Sequence, residues 1–306
     1  LQVGMFCLLM APEVYNPLRQ FAAHYHDRAA ARAAVGQMGA LFESLPSVEE
    51  QQLRAEATGE ESKGEEAGEF QRERPANEHR AVALDVQGLC LKVPGRAQAL
   101  FESLSFSIRI GQTVALMGDS GIGKTTLLET LVGLRSVEGR ILWAGRPLEE
   151  WARAELYQEV ALIGQHAYIH SGTIADNLRL AAPEASDEQL LAATHLACMD
   201  DFISLLPHGL ATQLGTRGYG LSGGQLQRIA LARLFLRDPS CILLDEPTAH
   251  LDPDTRDRVL ENLLRFSQGR SLLVVTHDPV VARRMDTVWQ MQMGSEVLTP
   301  VAKENL

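Results

Sequence analysis

The chain has 306 residues, with 28 lysines and arginines against 39 aspartates and glutamates, which gives a formal net charge of −11 at pH 7. This length leaves room for one large domain with an appendage or for two domains. The acidic balance argues against a nucleic-acid-binding protein that relies on bulk positive charge. Hydrophobic residues at 45% and charged residues at 22% exclude wholesale disorder and a multi-span membrane protein. Four cysteines without close spacing predict neither a disulfide framework nor a zinc site.

Residues 1–46 combine an apolar start, from Leu1 to Met10, with an alanine-rich continuation that carries arginines. The apolar start is too short to span a bilayer, which takes about 20 residues, and it is not preceded by the basic region of a signal peptide. Because basic residues gather on the cytosolic side, we expect residues 1–46 to be the end of a last transmembrane helix and its cytosolic extension. A surface amphipathic helix of a soluble protein is the open alternative.

Residues 47–80 have a different character, with ten glutamates against five lysines and arginines. Many charges and few apolar residues predict a solvated acidic linker. Over residues 81–306, short apolar runs alternate with helical patterns, which is typical of an α/β domain with a largely parallel sheet. We predict strands at 113–117, 159–163, 241–244 and 271–275.

A glycine loop at residues 118–126 fits the pattern G-x-x-x-x-G-K-[ST] and follows the apolar run 114–117. The order of strand, loop and helix is the context that this pattern requires. Backbone amides of such a loop surround phosphate oxygens, and the helix N-terminus adds a partial positive charge. The expected phosphate-binding residues are Gly118, Asp119, Ser120, Gly121, Ile122, Gly123, Lys124, Thr125 and Thr126. Among them, Lys124 is expected to reach the terminal phosphates and the Thr125 hydroxyl to bind Mg²⁺.

Two acidic residues close the apolar run 241–244. In α/β proteins a buried parallel strand delivers such residues to its carboxyl end, where sites form. Downstream of a phosphate-binding loop, Asp245 is expected to hold Mg²⁺ through water. Glu246 is then placed to orient or deprotonate the water that attacks the γ-phosphate.

A second candidate phosphate site lies at residues 221–225, ahead of a predicted helix at 226–236. Its backbone amides, a hydroxyl and the helix N-terminus suit phosphate binding, and the candidate residues are Ser222, Gly223, Gly224 and Gln225. One ATP needs only one such phosphate-binding site. Two sites in one chain make sense if each faces the other kind of loop across a dimer, with nucleotide between the subunits.

The glycine loop, the LSGGQ pentapeptide at 221–225 and the ILLDEP run at 242–247 occur in the order of an ABC transporter ATPase domain. The resemblance covers about residues 81–294. Gln165 resembles the Q-loop glutamine of that family, residues 249–252 its D-loop, and His277 its switch histidine. The family resemblance implies a P-loop NTPase fold of the ABC type, with a helical subdomain over about residues 166–220.

This resemblance also implies ATP and Mg²⁺ as cofactors and a head-to-tail nucleotide sandwich of two subunits. Glu246, His277 and Gln165 would be the catalytic residues, with His277 at the γ-phosphate. Thr125, Gln165 and Asp245 would hold the metal, while the signature loop would complete the partner's site.

The chain departs from the family pattern at two places. Val93 stands where many ABC domains have an aromatic residue that stacks on adenine, a contact worth about 1 to 3 kcal/mol for a base. Nucleotide affinity or base selectivity is therefore expected to be weaker, unless Phe101 takes over this role. The D-loop reads Ala249-His250 where Ser-Ala is commoner, a change that removes no catalytic group.

Residues 170–178 resemble the exporter type of ABC protein. Residues 11–19, 185–190 and 202–210 resemble the CydD-type subunit of a heterodimeric exporter of glutathione or cysteine that is needed for cytochrome bd assembly. This resemblance implies five further membrane helices, a CydC-type half-transporter as partner, and no nucleic acid. It also implies the bacterial inner membrane, with the ATPase domain on the cytoplasmic side. The open alternatives are an exporter of another substrate, a nucleotide-gated dimerisation module with little hydrolysis, and a soluble ABC ATPase.

Overall fold

The computed structural model describes residues 82–91, 99–165, 167–215, 221–292 and 297–305. The predicted end of a transmembrane helix, the predicted acidic linker and Val93 lie outside these ranges. Within them, no helix is both long enough and apolar enough to cross a membrane.

The strands fall into a central sheet, an antiparallel sheet and a short pair. In chain order they are β1 (Val82–Leu91), β2 (Phe101–Arg109), β3 (Thr113–Met117), β4 (Glu138–Trp143), β5 (Arg146–Pro147), β6 (Val160–Ile163), β7 (Gly172–Thr173), β8 (Gln213–Leu214), β9 (Cys241–Asp245), β10 (Ser271–Val275), β11 (Thr287–Gln290) and β12 (Thr299–Pro300). The α-helices are α1 (Lys124–Leu131), α2 (Arg153–Glu159), α3 (Ile174–Arg179), α4 (Asp187–Leu196), α5 (Asp200–Ser204), α6 (Gly223–Phe235), α7 (Pro253–Phe266) and α8 (Pro279–Arg283).

The central sheet has the order β12-β11-β3-β10-β9-β6. Its strands pair in parallel, except for β12, which runs antiparallel to β11. Strands β9 and β10 are buried along their whole length, as expected where helices cover both faces of a parallel sheet. All four predicted strands are confirmed, and their carboxyl ends meet at one edge, so the loops after β3, β6, β9 and β10 lie together.

The antiparallel sheet has the order β2-β1-β4-β5. Its buried residues share one hydrophobic cluster with β3 and α1, so this sheet supports the glycine loop from one side. Phe101, at the start of β2, is 1% exposed. A side chain buried in this cluster is not available to stack on adenine.

Between residues 167 and 215 the structure has the helices α3, α4 and α5 and the short pair β7–β8. Capping boxes start two of the helices, Thr173 with Asp176 at α3 and Ser186 with Gln189 at α4. These helices pack on α6 in the second hydrophobic cluster.

A buried asparagine joins this helical region to α6. Asn177, at 0% exposure, donates from Nδ2 to the carbonyls of His170 (3.1 Å) and Thr173 (2.9 Å), and its Oδ1 accepts from the His170 amide (3.1 Å). Arg233 of α6 donates to Asn177 Oδ1 (2.9 Å) and O (2.7 Å) and to the Tyr168 carbonyl (2.6 Å). Burial disfavours the charged form of the Arg233 guanidinium and so lowers its pKa. The oxygen atoms that accept its hydrogen bonds offset this cost and stabilise the charge.

Three cysteines of the described part are free thiols, and two of them are buried, Cys198 and Cys241. Cys241 opens β9 in the middle of the central sheet. Burial raises the pKa of this thiol to about 12, so it is protonated at physiological pH.

Candidate nucleotide site

The glycine loop connects β3 to α1 at the carboxyl edge of the central sheet. Gly118 has φ 154°, and a Cβ there would lie 2.7 Å from the Met291 carbonyl oxygen, so only glycine fits this position. Gly123 has φ 108° and caps α1, and a Cβ there would crowd Leu100 at 3.3 Å. The loop conformation therefore depends on the two outer glycines of the motif.

Lys124, the first residue of α1, turns back over this loop. Its Nζ donates to the carbonyls of Gly118 (2.7 Å) and Asp119 (2.8 Å). Asp119, Ser120 and Gly121 are exposed, so the cation lies beside the open part of the loop, where phosphate oxygens are expected.

Two other loop residues contribute through different groups. The Ile122 side chain is 4% exposed and belongs to the hydrophobic core, so only its backbone is left for a ligand. Thr126 accepts a hydrogen bond from the Thr130 hydroxyl at its carbonyl (2.7 Å), which ties the loop end to the first turns of α1.

The structure brings the Thr125 hydroxyl and Asp245 together. Thr125 Oγ1 donates to Asp245 Oδ2 at 2.6 Å, across from α1 to the end of β9. Burial raises the pKa of Asp245, the neighbouring Glu246 charge adds to this rise, and the bond from Thr125 opposes it.

This hydroxyl and carboxylate fit Mg²⁺, which prefers oxygen ligands and completes its shell with water and substrate phosphates. Among the described residues there is no group of three or more His, Cys, Asp or Glu side chains that could hold a metal without such ligands.

Gln165 lies two residues beyond β6, and β6 pairs with β9 so that Ile163 is opposite Leu244. The glutamine is thus at the same sheet edge as Asp245, but its side chain is exposed. In the described structure Gln165 makes no hydrogen bond to Thr125 or Asp245. The structure therefore brings Thr125 and Asp245 together but does not join Gln165 to them.

Glu246 and His277 form the second contact of the site. Glu246 Oε1 lies 2.8 Å from His277 Nδ1, and the glutamate side chain is 13% exposed against 72% for the histidine. A partly buried carboxylate with an exposed imidazole beside it is suited to hold and deprotonate a water molecule. The contact uses one ring nitrogen of His277 and leaves the other for a ligand.

The LSGGQ pentapeptide starts α6 through a capping box. Ser222 Oγ accepts from the Gln225 amide at 3.2 Å, and Gln225 Oε1 accepts from the Ser222 amide at 2.8 Å. The amides of Gly223 and Gly224 belong to the first turn of α6 and so have no partner within the helix; Gly224 is buried. The sequence reasoning missed this capping role, although the S-x-x-Q spacing is its known signal.

A further residue missed by the sequence reasoning is Gln227 of α6. Its side chain is 5% exposed and its Nε2 donates to the Glu246 carbonyl. The sequence holds no signal for this contact, because the two residues are 19 positions apart and meet only through helix packing.

Comparison with known proteins adds to this geometry. Residues 101–249 match the ABC transporter family, and residues 216–283 match a family described as an AAA domain, putative AbiEii toxin of a type IV toxin–antitoxin system. The structure is similar to that of a bacterial Atm1-family ABC exporter with ATP bound, with a TM-score of 0.67 and 29% identity over 72% of this chain and 38% of the exporter chain.

Curated relatives extend the similarity. The glutathione/L-cysteine transport system ATP-binding/permease protein CydD of Haemophilus influenzae is 35% identical over 96% of this chain, and that of Escherichia coli is 33% identical over the same share. The ATP-dependent lipid A-core flippase of Xylella fastidiosa is 34% identical over 72% of this chain. The chain spans 46% of the length of each CydD protein and 38% of the flippase.

The matched family covers the glycine loop, the LSGGQ pentapeptide and the two acidic residues of β9 and its loop. The glycine loop and these acidic residues lie at one edge of the central sheet, in a fold shared with an ATP-bound exporter. The chain therefore belongs to the ABC transporter family and carries its ATP-binding domain, an ATPase.

Proposed function

We propose that this chain is the ATPase part of an exporter subunit that moves glutathione or cysteine out of the bacterial cytoplasm in support of cytochrome bd assembly. The supporting observation is the extent of the similarity to the CydD proteins, which takes in 96% of the chain at 35% and 33% identity. Such an alignment includes most of the 80 residues ahead of the ATPase domain. The lipid A-core flippase has similar identity over only 72%.

In this proposal the subunit sits in the inner membrane with its ATPase domain in the cytoplasm, and a CydC-type half-transporter is its partner. The two ATPase domains would face each other head to tail. The Gly223 and Gly224 amides of one subunit would then bind the nucleotide held on the partner's glycine loop, because a helix N-terminus favours phosphate.

The site residues suggest how ATP is hydrolysed. Lys124 and the loop amides would hold the phosphates, while Thr125 and Asp245, joined by Gln165 when nucleotide is bound, would hold Mg²⁺. The metal would neutralise charge on the phosphates. Glu246 would accept the proton of the attacking water, and His277 would keep this carboxylate in place and contact the γ-phosphate.

Nucleotide binding is tested by Lys124→Ala. Loss of one charge-assisted hydrogen bond to phosphate is expected to weaken ATP binding about 10- to 100-fold, as measured by titration with a fluorescent ATP analogue. The matched control is Lys303→Ala, an exposed lysine outside the site, which is expected to leave the Kd unchanged. Equal affinities of the two variants would rule out the role given to Lys124.

The proposed substrate is tested in inside-out membrane vesicles that contain the full exporter subunit and its CydC-type partner. We expect ATP-dependent accumulation of radiolabelled glutathione or cysteine, lost in Lys124→Ala and kept in Lys303→Ala. Vesicles that hydrolyse ATP but accumulate neither thiol would contradict the substrate and leave the ATPase assignment standing. Stimulation of ATP hydrolysis by a lipid alone would point to a flippase.

A further inference from the structure

Glu246 is held in an unusual backbone conformation by a pair of side chains outside the nucleotide site. We propose that Gln227 and His250 are positioning residues for the Glu246 carboxylate, acting through its main chain. This inference rests on the catalytic role proposed for Glu246.

The first observation is the conformation of Glu246. Its φ is 50°, in the left-handed region that residues other than glycine rarely adopt and that persists only where the surroundings hold it. Its amide donates to the Val275 carbonyl at 2.9 Å. Its carbonyl accepts from the Ala249 amide at 3.3 Å and from Gln227 Nε2. The direction of the Glu246 side chain thus depends on these contacts.

The second observation is that both ends of the Gln227 amide are engaged. The side chain is 5% exposed, with Nε2 on the Glu246 carbonyl and Oε1 at 3.3 Å from His250 Nδ1. Because Oε1 can only accept, this contact requires a proton on Nδ1 of His250. The Glu246 carbonyl, which can only accept, fixes the orientation of the amide with its NH₂ group toward Glu246. His250, as a donor, then holds the other end of the same amide.

The third observation is that His250 is packed against the start of α6, the helix that carries Gln227. A Cβ on Gly223 would lie 3.2 Å from the His250 ring, and a Cβ on Gly224 would lie 2.6 Å from the His250 carbonyl oxygen. The close approach of the two backbones is possible only with glycine at 224. His250 is thereby fixed at the distance that its bond to Gln227 needs, and an alanine at 250 would supply no donor.

These contacts predict a specific kinetic effect. Without the bond from Gln227, Glu246 loses one of the contacts that hold its backbone, and its carboxylate can leave His277. Gln227 makes no hydrogen bond to the glycine loop in the described structure. In Gln227→Leu the turnover number should therefore fall while the KM for ATP stays the same.

The test is steady-state ATP hydrolysis by the full subunit together with its CydC-type partner. Gln227→Leu is expected to lower kcat about tenfold, which corresponds to the loss of one hydrogen bond. Its KM is expected to stay within about twofold of the unsubstituted protein's KM. His250→Ala should lower kcat in the same direction, and His250→Asn, which places an amide near the position of Nδ1, should restore it. The double variant should be no slower than Gln227→Leu alone, because both act on one contact.

Three results would overturn the inference. They are an unchanged kcat in Gln227→Leu, a rise in its KM that accounts for the whole loss of kcat/KM, and failure of His250→Asn to restore kcat. Thermal melting checks that each variant folds. If Gln227→Leu does not fold, the comparison of His250→Ala with His250→Asn decides, since His250 is exposed. Glu246→Gln separates the two proposals: full activity in that variant refutes the role of Glu246 itself, whereas its inactivity beside a normal Gln227→Leu refutes only the positioning role.

Discussion

Glu246→Gln is expected to lower the kcat for ATP hydrolysis by about 10² to 10⁴ while ATP binding stays intact. The amide has nearly the shape of the carboxylate, and it can still contact His277, whose Nδ1 lies 2.8 Å from Oε1. It cannot accept a proton from water, however. Turnover measured by phosphate release, together with the Kd for an ATP analogue, separates the chemical step from binding.

The matched control for this variant is Glu261→Gln. Glu261 is an exposed residue of α7 whose carboxylate pairs with Arg265 at 2.6 Å. Surface ion pairs contribute little, so normal turnover is expected. If Glu246→Gln hydrolysed ATP as fast as Glu261→Gln, another group would have to activate the water, and the proposed role of Glu246 would be wrong.

Asn177→Ala is expected to lower the stability of the domain by about 3 kcal/mol or more, because each buried polar group left without a partner costs about 1 to 3 kcal/mol. The variant removes partners from His170, from the Thr173 carbonyl and from the half-buried Arg233 guanidinium at once. For a domain of this size, we expect Tm to fall by about 6 to 12 °C, as measured by differential scanning calorimetry.

The control is Asn262→Ala in α7. The Asn262 amide donates to the Leu196 carbonyl at 2.9 Å and makes a long contact to Cys198 Sγ at 3.8 Å, so its loss should cost about 1 kcal/mol. Equal Tm values for Asn177→Ala and Asn262→Ala would mean that water or local rearrangement satisfies the groups around Asn177.

The central sheet could be predicted from the sequence because its strands are apolar on both faces. Strands 113–117 and 271–275 have the predicted bounds. The bounds of α6 were less accurate: the predicted start at 226 is three residues late, because the capping box of Ser222 and Gln225 starts the helix at Gly223. Local hydrogen bonding at a helix start overrides the apolar pattern of its later turns.

The glycine loop and the acidic residues of the site could also be predicted, because each is a short pattern with a local chemical reason. The side-chain contacts between distant parts of the chain could not. Arg233 and Asn177 are 56 positions apart, and His250 and Gln227 are 23 apart. Such contacts arise from the packing of helices, and no periodicity along the chain specifies them.

The burial of Cys241 bears on how this ATPase would tolerate its proposed cargo. The thiolate is the form of cysteine that attacks a disulfide. Burial in the sheet raises the pKa of Cys241 to about 12, so the thiolate is suppressed. Burial also shields the sulfur from oxidised glutathione. Burial also raises the pKa of Cys198. These two core cysteines would therefore resist glutathionylation in a cytoplasm rich in the exported thiol. ATP hydrolysis would then be insensitive, at these two positions, to the redox state of the cargo pool.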